Sequence, residues 1–144
     1  MNHTMKVFTR TGVLLFFIIF VLAGCPATGI EKERSEAFKQ YETIIRWSEW
    51  DAAADFISPE YQLDHPITRL ELDRLRLFRV TAYTLRSTGV YDEGMTARQT
   101  VEIKMFNKHQ SVERVIIDEQ EWRYNEDAER WMLHSGLPDP TKRY

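Results

Sequence analysis

The strongest constraint on the fold of this chain is a change in hydrophobic periodicity near Arg79. Upstream, apolar side chains such as Ala37, Tyr41 and Ile44 recur within residues 31–47 at the spacing of an amphipathic helix. Downstream, apolar and polar residues alternate in places, and Val, Ile, Thr, Tyr and Trp are frequent, as in strands. Because helices followed by a run of strands are typical of the α+β class, we expect an α+β fold.

Two further helices are predicted before the strands begin. The second, in residues 47–57, is expected to end at Ser58-Pro59, and the third, in residues 67–77, follows a turn at residues 64–66. Leu75 and Leu77 also alternate as in a strand, so the boundary between the third helix and the first strand stays open. The side chains expected to share a stripe are Trp50, Ala53, Ala54 and Ile57 in the second helix, and Ile67, Leu70, Leu75 and Phe78 in the third.

The strands are separated by turns that can be recognised from their residue types. We predict strands in residues 80–91, 96–107, 111–124 and 130–135, with turns at residues 92–94, 107–110 and 125–127. Short turns between consecutive strands favour an antiparallel meander. In the second strand Gln99, Val101, Ile103 and Met105 share one face. We expect one curved sheet that buries its concave face on the helices.

The N-terminus has the organisation of a secretory signal. Lys6 and Arg10 precede an apolar run in residues 12–21, and Leu22-Ala23-Gly24-Cys25 follows it. This tetrapeptide resembles the lipobox of bacterial lipoproteins, which implies a diacylglycerol on the Cys25 thiol and cleavage between Gly24 and Cys25. The run is short for a membrane-spanning helix, which needs about 20 apolar residues, and a plain secretory signal is the remaining alternative.

The lipobox implies a location and a domain organisation. Cys25 is the chain's single cysteine, so a processed domain would contain no disulfide and no thiolate metal site. Pro26 differs from the aspartate of an inner-membrane retention signal, which favours the outer membrane, with the domain facing the periplasm. The expected segments are a signal peptide in residues 1–24, the lipidated cysteine and a flexible tether in residues 25–30, one domain in residues 31–138, and a loose tail in residues 139–144.

Charge argues against nucleic acid as a partner. Cleavage would remove Lys6 and Arg10 from 19 basic residues and leave all 22 acidic ones, for a net charge of −5. Proteins that bind phosphate backbones present a basic face that releases counterions. Neither the total charge nor its clustering supplies one here.

The end of the chain supports a comparison with a known fold. In residues 129–138, Trp131 follows a turn and a short strand leads to Gly136 and Pro138, while Glu121-Trp122-Arg123 lies in the preceding strand. With the helices-first order, this pattern resembles the NTF2-like, cystatin-like cone fold over residues 31–138. The resemblance implies helices packed on a curved sheet with a conical opening. It implies no single function, since enzymes, ligand-binding domains and assembly modules share this fold.

Few residues suggest chemistry. His65, His109 and His134 are too far apart in sequence for a zinc motif, and we expect no metal and no cofactor. Asp118 shares a strand face with Gln120, Trp122 and Tyr124. If it points inward beside Tyr83 or Tyr41, burial would raise its pKa and make it a candidate general base. The alternative is a solvated face on which Arg123 and Lys104 pair with acids across strands.

His134 is the second candidate, and its position depends on the last strand. It lies on the face opposite Trp131 and Leu133, so it is solvated if Trp131 points to the core and otherwise lines the cone. The aromatic side chains are sufficient to fill the core or to line a pocket. We expect a non-enzymatic, lipid-anchored module that binds an envelope protein or a small apolar ligand. The alternatives are a small hydrolase or isomerase that uses Asp118 and His134 in the cone, and a subunit of an envelope assembly.

Overall fold

A computed structural model describes residues 27–142 of the chain. No helix among these residues is both long enough and apolar enough to cross a membrane. The Leu22-Ala23-Gly24-Cys25 motif lies outside the described residues. The helices are α1 (Ala27–Arg46), α2 (Trp50–Ala54), α3 (Pro59–Asp64) and α4 (Arg69–Leu75), and the strands are β1 (Phe78–Tyr91), β2 (Thr96–Asn107), β3 (Glu113–Asn125) and β4 (Arg130–Leu133).

The strands form one curved, open, antiparallel sheet in the order β1-β2-β3-β4. The predicted α+β class and meander are therefore confirmed, and each strand begins and ends within a few residues of its predicted bounds. A short 3-10 turn, Asp92–Gly94, joins β1 to β2. The turn residues and the alternation of side chains were sufficient to locate these strands because both are local features of the sequence.

The core lies between α1 and the concave face of the sheet. The predicted face of β2 is buried, with Val101, Ile103 and Met105 fully enclosed. Tyr41 of α1 packs edge-on against Trp122 of β3, with ring centroids 5.1 Å apart. Since a buried aromatic side chain removes a large apolar area from water, this contact ties the long helix to the middle of the sheet.

The first helix begins earlier than the sequence predicted. Ala27 is the first residue of α1, so the helix includes residues 27–30 of the segment that was predicted to be a flexible tether. The Trp131 indole nitrogen donates a hydrogen bond to the Ile30 carbonyl oxygen over 3.2 Å. A contact between distant parts of the chain therefore stabilises the first turn of α1, and local sequence does not reveal such a contact.

The segment between α1 and β1 is divided more finely than predicted. α2 ends at Ala54, and Ile57 forms a parallel bridge with Leu133 beyond the helix. Pro59 was expected only to stop a helix, but it occupies the first turn of α3, where its missing N–H costs nothing. In α4, Leu70 points to solvent and is 60 % exposed, so its assignment to the core stripe is wrong. The open helix–strand boundary falls between Leu75 and Phe78.

The C-terminal segment, residues 135–142, is held against the sheet. Pro140 is buried, and the Arg114 guanidinium donates a hydrogen bond to its carbonyl oxygen over 3.0 Å. Arg114 also lies over the Phe78 ring, 5.4 Å from its centroid. Within the predicted loose tail, residues 139–144, a side chain of β3 therefore contacts Pro140.

Candidate functional site

A polar cluster interrupts the apolar concave face at β3. Gln120 is buried at 2 % exposure and donates through Nε2 to Asp118 Oδ2 over 2.8 Å. Its Oε1 accepts a hydrogen bond from the Trp122 indole over 3.1 Å, and the Tyr83 hydroxyl lies within 3.4 Å of the same oxygen. An indole only donates and a carboxylate only accepts, so these two partners fix the orientation of the amide.

Asp118 faces inward beside Tyr83, which was the condition set for a candidate general base. Burial raises the pKa of Asp118 to about 6, while the hydrogen bond from Gln120 and the charge of Lys142 oppose that rise. A carboxyl group with such a pKa can accept a proton near neutral pH. The geometry therefore satisfies the condition stated from the sequence for this residue.

Tyr41 completes the cluster from the helix side. Its hydroxyl is fully buried and has no hydrogen-bond partner among the described residues. Burial, followed by the charges of Asp118 and Tyr83, raises the pKa of Tyr41 well above its ordinary value. This hydroxyl stays neutral and can donate a hydrogen bond, but no acceptor lies within reach in the structure.

His134 lies on the other face of the sheet. Trp131 is buried in the core, so His134 points away from it, beside Glu121 and Arg123. Partial burial, followed by the charge of Arg123, lowers the pKa of His134. The structure therefore does not bring Asp118 and His134 together, because β3 separates them.

The two remaining histidines of the described residues do not form a site. His65 and His109 are exposed, and His65 stacks on Tyr61 with ring centroids 4.6 Å apart. Within residues 27–142, no group of three or more His, Cys, Asp or Glu side chains is arranged to hold a metal ion.

A groove lies where α4 meets the C-terminal segment, and the sequence analysis missed it. Its volume is about 590 Å³. Leu75, Phe78 and Leu137 form apolar walls, while Leu70 stands exposed at its edge. Charged side chains of both signs line it as well, namely Glu71, Arg74, Asp139 and Lys142. Of the residues at the groove, Leu70 was noted in the sequence as an apolar residue, but its helical spacing had assigned it to the core.

The groove lies at the end of the domain away from the start of α1. The first turn of α1 contacts Trp131 near the β3–β4 turn, while the Trp47 carbonyl just after α1 meets Arg79 at the start of β1. Phe78, the first residue of β1, lines the groove. The 20 residues of α1 span about 30 Å, so the groove lies roughly that far from the point where the chain enters the domain.

Comparison of the chain with protein-family models, curated proteins and solved structures found no match. The groove and the inward cluster are therefore interpreted from their own geometry.

Proposed function

We propose that this protein is a lipid-anchored bacterial envelope protein that binds an apolar segment of another envelope protein in the groove between α4 and the C-terminal segment. The observation that carries the proposal is the groove itself, because it is large enough for several side chains and exposes apolar surface at its edge. The charged residues around it would set the direction of a bound peptide.

The domain is proposed to be a cone of the NTF2-like type. The order of helices before a four-stranded antiparallel sheet and the packing of α1 on the concave face support this proposal. In such a fold the inward cluster around Gln120 would lie in the depth of the cone. A crystal structure in which α1 leaves the concave face open to solvent would contradict it.

Anchoring at Cys25 is the second part of the proposal, with the outer membrane as the expected location. The basic, apolar and small-residue order of residues 1–24 supports it. Replacing Cys25 with Ser should abolish incorporation of labelled palmitate and leave the chain unprocessed or soluble. Labelled, membrane-bound protein in that variant would contradict the lipoprotein assignment.

Binding in the groove can be tested with two exposed leucines. Leu70 lies at the groove edge and Leu63 lies on α3 outside it, with exposures of 60 % and 83 %. Leu70→Asp should remove partners that are captured from detergent-solubilised envelopes, while Leu63→Asp should retain them, as quantified by mass spectrometry. Partners lost equally from both variants would contradict the groove as their binding site. If no protein partner is captured and a small apolar molecule displaces an apolar fluorescent dye from the groove, the ligand is a small apolar molecule instead.

A small hydrolase or isomerase is the alternative, and the raised pKa of Asp118 is the observation that favours it. Tyr83 and Tyr41 stand beside this carboxyl group and could donate to a developing oxyanion. A screen of ester and ketone-isomerisation substrates would test it. Activity in the wild type that disappears in a folded Asp118→Asn variant would support catalysis and displace the binding-only proposal.

A further inference from the structure

The two edges of the sheet differ in how far other segments cover them. At β4, residues 56–58 cover the edge at Leu133, since the Leu133 N–H donates to the Phe56 carbonyl oxygen over 2.7 Å and the Ser58 N–H donates to the Leu133 carbonyl oxygen over 2.8 Å. At the other edge, β2 is the one strand that pairs with β1 among residues 27–142. An edge strand directs N–H and C=O groups outward at every second residue, and these groups can pair with another strand.

The first part of β1 is protected against such pairing. Irregularities in the register occur between Val80 and Ala82 and between Leu85 and Ser87. Arg79 and Arg86 add charge, and the Val80 N–H is already bonded to the Ser48 hydroxyl over 2.9 Å. Bulges and charged residues are the devices by which proteins discourage pairing at an edge.

The last part of β1, residues 87–91, has none of these devices. Its register with β2 is regular, and it contains no charged side chain. Val90 and Tyr91 are 47 % and 50 % exposed. The Tyr91 ring lies across Gly89, and the Arg98 guanidinium lies 5.5 Å from the ring centroid.

We propose that residues 87–91 of β1 pair antiparallel with the same residues of a second copy of this chain. A two-fold axis at Gly89 would place Thr88 opposite Val90 of the second copy and Ser87 opposite Tyr91, so that every directly opposed pair is uncharged. Because the same residues meet on both copies, the two-fold pairing closes on itself and ends at a dimer.

The position of α1 favours a second copy over an unrelated peptide. The start of α1 lies at the same end of the sheet as residues 87–91, beside the β1–β2 turn. A two-fold axis perpendicular to the joined sheet leaves both α1 helices on one side of it, with their first turns near the dimer centre. Two lipid anchors could then enter one membrane. This last argument rests on the proposed function, whereas the pairing itself does not.

The test is the mass of the full chain in a density-matched detergent, measured by sedimentation equilibrium over a range of concentrations. The wild type should change from monomer to dimer as concentration rises. Val90→Lys should raise the dissociation constant of the dimer about tenfold. The two-fold symmetry places the substituted residue in the interface twice, so the unfavourable contact with Thr88 occurs twice. Val112→Lys is the matched control, since Val112 is 54 % exposed but lies in the β2–β3 turn, at the opposite end of the sheet from residues 87–91. It should associate as the wild type does.

Cysteine cross-linking gives an independent measurement. The double variant Thr88→Cys/Val90→Cys places cysteines opposite each other across the axis and should give disulfide-linked dimers above the background of the wild type. Ser87→Cys alone should not, because its two copies would lie about 14 Å apart along the strands. A wild type that stays monomeric at every concentration would overturn the proposal, as would equal weakening by Val90→Lys and Val112→Lys. A cross-link from these positions to a different protein would also overturn it, by identifying the occupant as an external strand.

Discussion

At the residue scale, Gln120 determines how the inward cluster is organised. Its amide joins Asp118, Tyr83 and Trp122, so one side chain satisfies an acid, a phenol and an indole in the concave face. Buried polar groups are costly unless they are paired, which explains why Gln120 is tolerated at 2 % exposure.

Asp118 should make the stability of the protein depend on pH. Its pKa rises from 3.8 in the unfolded chain to about 6 in the fold, so the folded state binds the proton more tightly. The free energy of unfolding therefore loses this contribution as pH rises from about 4 to about 6 and does not recover above that range. We expect Asp118→Asn to be more stable at neutral pH by about 1–3 kcal/mol, as measured by urea unfolding.

The control for this prediction is Glu113→Gln, because Glu113 is an exposed acid on the opposite face of the same strand and is not among the charges that shift the pKa of Asp118. It should follow the pH dependence of the wild type. If Asp118→Asn also follows the wild type over the whole range, Asp118 does not have a raised pKa in the folded protein.

Two tyrosines of the cluster should respond oppositely to loss of the hydroxyl group. Tyr41→Phe removes a buried hydroxyl that has no partner and should leave the free energy of unfolding unchanged or raise it by about 1 kcal/mol. Tyr83→Phe removes a hydroxyl bonded to Gln120 and should lower it by about 1 kcal/mol. Thermal unfolding of both variants measures the difference. A larger loss in Tyr41→Phe would mean that its hydroxyl has a bound partner.

At the element scale, the C-terminal segment forms one wall of the groove and packs against the start of β3. Arg114 bonds to the Pro140 carbonyl oxygen and covers Phe78, so three distant parts of the chain meet at one guanidinium. A planar, delocalised cation is suited to such a double role.

Arg114→Gln should loosen this segment without unfolding the sheet. The loss of a charge-assisted hydrogen bond to the Pro140 carbonyl oxygen should cost about 1–2 kcal/mol and should raise hydrogen exchange in residues 137–142. Arg86→Gln is the control, because Arg86 pairs with Glu102 on the exposed face, far from the segment. Equal exchange in the segment of both variants would show that Arg114 does not anchor it.

In the helices between α1 and β1, the spacing of apolar residues does not reliably predict which side chains are buried. Trp50 and Ala53 are buried as their spacing predicts, but α2, α3 and α4 are each too short to establish a period over several turns. In α4 the Thr68 hydroxyl accepts from the Glu71 N–H over 3.2 Å, which sets the start of the helix. Which side chains of so short a helix are buried then depends on its neighbours, as Leu70 demonstrates.

At the scale of the whole molecule, one core joins α1 to all parts of the sheet. We therefore expect residues 27–142 to unfold in one cooperative transition, with the same midpoint by far-ultraviolet circular dichroism and by tryptophan fluorescence. The free energy of unfolding should fall in the usual range of about 5–15 kcal/mol. Reductant should leave the midpoint unchanged, because the chain has a single cysteine, Cys25. Separate midpoints would show that the helices and the sheet form independent units.

By itself, the sequence determined the α+β class, the strand positions, the turns between them and the buried face of β2. These follow from alternation and turn chemistry, which act between residues close in the chain. The tertiary structure alone decided the start of α1 at Ala27, the separation of Asp118 from His134, the buried Pro140 and the groove beside Leu70. Each of these depends on contacts between segments far apart in sequence, and such contacts leave no periodic trace in it.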